Sequence, residues 1–274
     1  MGVEGARVTR LARFPVKACG AEPLAKAEVA GSGLVGDRVL AVVVGDEVAT
    51  QREHPVLAAV RPALEDHSGV LSLSFAGAGP LGGPVRGVVR QEGPATPVEL
   101  FGDRVAVVDQ DPALSAWFSA LLGRPARLVA LPPGDRRGGP GPGRPGLFDE
   151  GAVSLHSEAS LGLLNERLAE HGQPALPADR FRANIVIAGC EPHEEDRTQR
   201  FELGEVTLRL EDGDIRCAVT TVDQAAGRRA GPEPLRTLAG YRRGASGGVL
   251  FGVYASVSRA GRVRVGDPVT LSGS

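Results

Sequence analysis

The sequence predicts a mainly β fold with a few helices, an α+β arrangement of barrels or rolls rather than a doubly wound parallel sheet. Three observations predict it. Short apolar runs rich in Val and Leu recur along the chain, punctuated by Gly, Pro and Asp. Only a few segments carry apolar residues at helical spacing. There is also no strand–GxGxxG–helix unit, no GxxxxGK[ST] loop and no repeat of fixed period.

The elements follow in order. Arg38–Val44 is a near-continuous apolar strand, and Gly45-Asp46 turns the chain into Glu47–Thr50, predicting a hairpin. Val70–Phe75 alternates with period two. Val98–Phe101 and Arg104–Val108 flank Gly102-Asp103 as a second hairpin. A helix follows, with Asp111 as N-cap, Pro112 in the first turn, an apolar face of Leu114, Trp117, Phe118, Leu121 and Leu122, and Gly123 as its stop. Residues 132–146 are so rich in Gly and Pro that no regular structure is expected there. They read as a surface linker, or as a lid whose Arg136, Arg137 and Arg144 meet an anion. The strand Ala152–Leu155 leads to a helix capped by Ser157 and stopped by Gly172. Strands are predicted at Asn184–Ala188, Val206–Leu210, Ile215–Val222, Val249–Val257 and Arg262–Leu271, with a short helix over Pro234–Arg243.

The chain has 274 residues and a formal net charge of −2, so it carries no bulk basic field for nucleic acid or a membrane surface. Any anion site must come from a local cluster of Arg and Lys. Cys19, Cys190 and Cys217 are odd in number and widely spaced, which argues against a disulfide framework and against a multi-cysteine zinc cage. No apolar run has signal-peptide or bilayer-spanning length, so a cytoplasmic protein is expected.

The most informative stretch is Gly213–Asp223, where Cys217 directly follows Arg216 at the start of a β-branched run. A neighbouring cation favours the thiolate, the form that attacks or binds metal. Cys217 is therefore either a quiet core residue or a single soft ligand. Other clusters are Phe14–Cys19, Gly33–Arg38, Arg180–Asn184 and Phe251–Tyr254. Singly, each has a plain explanation. Lys17 and Arg38 suit a solvated surface, Arg180 and Arg182 share one face of a strand edge that meets water or ligand, and Tyr254 suits a core with its hydroxyl bonded. Asp223 suits a turn better than proton transfer. If Lys17, Arg38, Arg182 and Arg216 converge at a barrel mouth, they form a cationic pocket for a phosphate and a polar heterocycle, with Asn184 offering both a donor and an acceptor.

In this order the clusters resemble the MOSC family, the domain shared with the C-terminal part of molybdenum cofactor sulfurase. The resemblance runs from about residue 7 to residue 271, and the nearest pattern is that of two-domain proteins similar to the mitochondrial amidoxime-reducing component. It rests on Pro15-Val16-Lys17-Ala18-Cys19, Gly33-Leu34…Asp37-Arg38, Arg180-Phe181-Arg182-Ala183-Asn184, Arg216-Cys217…Thr220-Thr221-Val222-Asp223, Phe251-Gly252-Val253-Tyr254 and Val265–Val269. It implies an N-terminal MOSC β-barrel domain over 1–131, a linker or lid over 132–146, and a MOSC β-barrel domain over 147–274. It also implies a molybdenum cofactor of the molybdopterin type, with Cys217 as catalytic residue and metal ligand. Lys17, Arg38, Arg182, Asn184, Arg216 and Tyr254 become the implied cofactor contacts.

Departures from the family pattern are Ala18 for serine, Ala183 for proline, Ile215 before Arg216-Cys217, and the 132–146 insertion. The chain carries no cysteine cluster for an iron–sulfur module. The expected function is therefore a molybdenum-dependent oxidoreductase that reduces N-hydroxylated or N-oxygenated small molecules. Its electrons would come from a separate ferredoxin- or flavoprotein-like partner. The alternatives are a carrier of cofactor or sulfur, using a Cys217 persulfide, and a non-catalytic barrel that binds an anionic ligand.

Overall fold

The computed structural model describes residues 5–76, 83–132, 137–139, 141–144, 147, 151–245 and 247–273. They are mostly strand, with three α-helices among the described residues. Local chemistry sets the helix ends. In α1 (Pro112–Leu122) the Asp111 carboxylate accepts from the Ala113 N–H at 2.8 Å, and Gly123 closes the helix at φ 64°. In α2 (Glu158–Glu170) the Ser157 hydroxyl accepts from the Ser160 N–H at 3.0 Å. The third helix, α3, is the single short turn Leu235–Ala239. No helix among the described residues is long and apolar enough to cross a membrane.

Both predicted hairpins form. Leu40–Val44 pairs antiparallel with Glu47–Val48, and Ala95–Leu100 pairs with Asp103–Asp109. The second turn falls on Phe101-Gly102, one residue earlier than the sequence pattern suggests, with both residues at positive φ. With Arg127–Ala130 these strands close a five-stranded barrel around Ala41, Val43, Val98, Val107 and Val129. One side of it is covered by α1, through the buried Leu114 and Phe118.

The second assembly is an eight-stranded sheet. Its order is Glu22–Leu24, Arg7–Arg13, Ile185–Ala188, Val153–Ser157, Leu250–Arg259, Val206–Ile215, Arg200–Leu203 and Val269–Ser272. The sheet curls back on itself: Arg7, on the second strand, bridges Pro268 beside the last, and the Val8 N–H donates to the Asp267 carbonyl at 2.9 Å. Residues from both ends of the chain thus build one curled sheet and one core, in which Val8, Leu11, Ile185, Val253 and Leu271 pack together.

This topology gathers the motifs. Arg7–Arg13 runs antiparallel to Ile185–Ala188, so Phe14–Lys17 leave the sheet where Arg182–Asn184 enter it. Val153–Ser157 runs parallel to Ile185–Ala188 and begins at the same end. Tyr254 stands opposite Ser154 on one neighbouring strand and opposite Asp212 on the other. Residues 14–17 then run along the start of the barrel: the Lys17 N–H donates to the Leu40 carbonyl, and the Arg38 N–H to the Phe14 carbonyl. Barrel and sheet share this seam.

Three local expectations are corrected. Ile215–Val222 is not a strand: the preceding strand ends at Ile215, and Ala218–Thr221 forms a 3₁₀ turn. The hydroxyls of Thr220 and Thr221 bond back to the carbonyls of Cys217 and Ala218, three residues earlier, which offers the β-branched run an alternative to a ladder. Arg180 and Arg182 do not share a strand edge, because Ala178–Phe181 is a 3₁₀ turn ending on Arg182 at φ 54°. The strand-like pieces expected around Gly266-Asp267 do form, as Gly261–Arg264 and Val269–Ser272. Within 132–146, Arg137–Gly139 and Gly141–Arg144 pair as a two-stranded ribbon, held by backbone bonds that glycine tolerates. The lid reading depended on the side chains of Arg136, Arg137 and Arg144, which lie outside the described residues.

Candidate functional site

At the seam lies a cavity of about 320 Å³. Lys17, Arg38, Arg182, Asn184, Arg216, Cys217 and Tyr254 all line it, together with Ala18, Arg52, Phe101, Arg180 and Thr220 among others. The seven candidates come from five stretches of chain, and the fold brings all seven to one cavity.

One end of the cavity is a web of satisfied charges. Asp37 is 2% exposed and accepts from the Phe14 N–H at 2.6 Å, from the Asn184 amide at 3.1 Å and from the Arg38 guanidinium. Asn184 is equally buried. Its amide nitrogen also donates to the Ala12 carbonyl, and its oxygen accepts from the Ser154 N–H and from Arg38, both at 3.2 Å. Those four bonds fill the hydrogen-bonding capacity of the side chain. Arg38 and Arg182 both lie over the Phe14 ring, 4.4 Å from its centroid. Arg182 also donates to the Cys19 carbonyl at 2.7 Å and to Gln224 at 3.2 Å. Gln224 and Gln51 form a reciprocal amide pair that ties the web to the barrel side. Lys17 is nearly buried; its ammonium donates to the Leu147 carbonyl at 3.0 Å and lies 5.3 Å from the Phe101 ring.

Backbone strain concentrates here. Of the five non-glycine residues with positive φ among those described, Ala18, Arg38, Phe101 and Arg182 line this cavity. Such conformations cost energy and persist where surrounding bonds over-determine them, as at ligand sites. Gly252 is required for a related reason. It adopts φ +70°, and a Cβ there would sit 2.6 Å from the Leu155 carbonyl oxygen. The glycine of Phe251-Gly252-Val253-Tyr254 thus creates the irregularity that sets Tyr254 at the cavity wall.

The other end carries Cys217. This thiol is half-buried and begins the Ala218–Thr221 turn. Arg216 turns to the protein: Nε donates to the Phe251 carbonyl at 2.8 Å, Nη1 to the Phe181 carbonyl at 2.9 Å, and Nη2 pairs with Asp214 at 2.7 Å. It therefore clasps the two segments behind Cys217. Those segments stack their Phe181 and Phe251 rings at 3.8 Å, and His156 packs on both. The three cysteines differ sharply. Burial pushes the Cys19 thiol up to about 12 and the Cys190 thiol up to about 11, so both stay protonated. Neither lines this cavity; Cys217 does. Asp223 takes the turn role, accepting from the Ala225 and Ala226 N–H groups, which hold its carboxyl below the usual range.

The family comparison agrees with this geometry. The MOSC N-terminal beta barrel domain matches residues 5–125, and the MOSC domain matches residues 133–270. The chain belongs to the MOSC family. Within it, human mitochondrial amidoxime-reducing component 1 is 31% identical over 296 residues, covering 97% of this chain and 83% of the human protein. Rat mitochondrial amidoxime reducing component 2 is 32% identical, covering 96% of this chain and 82% of the rat protein. Zebrafish molybdenum cofactor sulfurase is 31% identical over 90% of this chain, which spans 31% of that longer protein.

This MOSC site also holds residues that sequence reasoning missed. Gln51 and Gln224 pair across a separation of 173 residues, and no local pattern announces that contact. Asp37 and Asp214 are the buried counter-charges of Arg38 and Arg216, each within two residues of its partner. Away from the cavity, His193, Glu195 and Asp196 bring side-chain atoms of metal-ligand type within 4.8 Å of one another. Arg242 already pairs with Asp196, and it acts on His193 together with Arg167, so this cluster has its cations supplied by the protein.

Proposed function

We propose that this protein holds a molybdenum cofactor of the molybdopterin type in the seam cavity, with the Cys217 thiolate as protein ligand to the metal. We propose further that it reduces N-hydroxylated or N-oxygenated small molecules. The observation that carries the reading is the half-buried Cys217 thiol at the wall of a cavity otherwise lined by Lys17 and several arginines. A soft thiolate suits a soft metal centre, and a cationic, partly aromatic wall suits a phosphorylated heterocycle. The residues present fit the group: the cavity has room for a small ligand, and Arg180, almost fully buried at its wall, has donor groups without a partner among the described residues.

When bound, the cofactor supplies two-electron redox chemistry at the metal. The protein supplies position and charge. Lys17, Arg38 and Arg182 set a positive field for an anionic ligand, and Tyr254 borders the space beside Cys217. Asn184 acts as a positioning residue, since its four bonds lock the Ala12, Asp37, Arg38 and Ser154 segments together. Arg216 fixes the chain on either side of the thiol. The overall reaction cleaves an N–O bond, consumes two electrons and two protons, and releases the reduced nitrogen compound and water. A separate electron-transfer protein of the ferredoxin or flavoprotein type supplies the electrons.

The test is direct. Protein purified from a cofactor-competent host should carry molybdenum and pterin near one per chain, and Cys217→Ala should lose the metal. A well-loaded host that yields protein without either would overturn the reading. The sulfurase relative favours a second reading, in which Cys217 carries sulfur as a persulfide or hands on a sulfurated cofactor. Dithionite-driven reduction of a model amidoxime by loaded protein separates the two: turnover supports the reductase, and loaded but inactive protein supports the carrier.

A further inference from the structure

The cations that line the cavity are not equivalent. The guanidiniums of Arg38, Arg182 and Arg216 bond to protein carbonyls, amides and carboxylates, and the Lys17 ammonium bonds to Leu147. Arg180 differs. It is 5% exposed and lines the same cavity, yet among the described residues its Nε and Nη1 groups have no hydrogen-bond partner. A buried donor without an acceptor is costly, and more so when the group is charged. Asp223 and Asp179 favour the charged form through space, against a larger opposing effect of burial. Neither is bonded to Arg180, and the Asp223 carboxylate is already shared by two backbone N–H groups. The turn that carries Arg180 packs against the Ala218–Thr221 turn, which Cys217 begins. Arg180 thus sits at the Cys217 end of the cavity, apart from the satisfied web.

We propose that Arg180 is the oxyanion seat of the cavity, where its guanidinium, short of protein acceptors, turns to bind a carboxylate or phosphate oxygen of the molecule held beside Cys217. The proposal rests on the cavity being the ligand site, and it does not depend on which metal, if any, is bound. Two sources can supply the oxyanion: the phosphate of the cofactor, or an acidic group on the substrate. In the second case the substrate class narrows to acidic N-oxygenated molecules. A guanidinium–oxyanion contact in such a partly desolvated place is of the strong, charge-assisted kind.

Calorimetric titration of inorganic phosphate into cofactor-free protein tests it, with Arg180→Gln, Arg180→Lys and, as a control, the exposed Arg86→Gln. Arg180→Gln should bind about tenfold more weakly or worse, Arg180→Lys should fall between, and Arg86→Gln should match the unmodified protein. Equal affinity in Arg180→Gln and the unmodified protein would overturn the proposal, as would no phosphate binding by the unmodified protein. A second reading does not need Arg180→Gln to fold. In protein labelled at arginine, the Arg180 Nε–H resonance, assigned by its loss in Arg180→Lys, should shift along the calorimetric curve; a resonance indifferent to phosphate also overturns the proposal. The cofactor-loaded protein separates the sources. Phosphate excluded by loading assigns the seat to the cofactor. Phosphate still bound assigns it to the substrate, and Arg180→Gln should then lower kcat/KM for carboxylate-bearing substrates but not for neutral analogues. Because the phosphate titration uses cofactor-free protein, its failure is distinct from a failure to find molybdenum.

Discussion

The two ends of the cavity solve opposite problems. At the Asp37 end, a buried carboxylate and a buried asparagine meet two half-buried arginines, and each charge or amide is answered by another. At the Cys217 end, Phe181 lines the cavity with Phe251 and His156 packed behind it, and polar capacity is left over in Arg180. A saturated network fixes geometry but offers little to a ligand, whereas an unsaturated edge backed by apolar packing can gain by binding one. Lining a cavity is therefore a poor guide to a residue's role. Arg38 and Asn184 shape the site, and Cys217 and Arg180 face its occupant.

The largest expected effect breaks the saturated end. Asp37→Ala removes an acceptor shared by the Phe14 N–H, the Asn184 amide and Arg38, leaving a largely buried guanidinium without its carboxylate. Removing one partner of a buried pair costs about 3–5 kcal/mol. Urea unfolding should show that loss, and a change below about 1 kcal/mol would mean the web is not what holds the seam together.

The same contrast explains what the sequence made legible. The ends of α1 were readable because Asp111, Pro112 and Gly123 act locally. The Leu40–Val48 hairpin was readable because Gly45-Asp46 punctuates an apolar run. The seven candidate residues were readable as motifs, and antiparallel pairing of Arg7–Arg13 with Ile185–Ala188 then brought Lys17 and Arg38 to Arg182 and Asn184. What escaped was which cation is spent. Arg182 and Arg180 stand two apart and look alike in sequence. Only the left-handed backbone at Arg182 turns its guanidinium to Cys19 and Gln224, while Arg180 on the preceding 3₁₀ turn finds no partner for Nε or Nη1 among the described residues. The strand expected at Ile215–Val222 failed likewise, because threonine hydroxyls compete locally with a ladder that composition alone favours.

A second, smaller effect probes the neutral packing behind the Cys217 end. Burial between two phenylalanines lowers the His156 pKa from 6.5 to about 4. The unfolded chain takes up that proton near 6.5 and the native protein only near 4, so His156 contributes stability above 6.5 that is lost as pH falls toward 4. The shift corresponds to about 3 kcal/mol across that window. His193, also lowered to about 4, acts in the same direction, while Glu195, raised by burial, acts against it. Comparison with His156→Phe isolates the one group. Unfolding free energies at pH 7 and pH 4.5 should differ less in the variant, and an unchanged difference would mean that His156 is not held neutral.

The smallest effect on stability sharpens the comparison most. Cys217 is half-buried at a cavity wall, its carbonyl and not its thiol caps the following turn, and no core cluster includes it. Cys217→Ser exchanges sulfur for oxygen at nearly constant volume in that position. Changes away from cores, caps and buried networks fall within about 0.5 kcal/mol. The midpoint of thermal unfolding of cofactor-free protein should therefore barely move, in contrast to Asp37→Ala. A variant as unstable as Asp37→Ala would show the thiol to be part of the architecture, and the distinction between a residue that shapes the cavity and one that faces its occupant would then fail at its central residue.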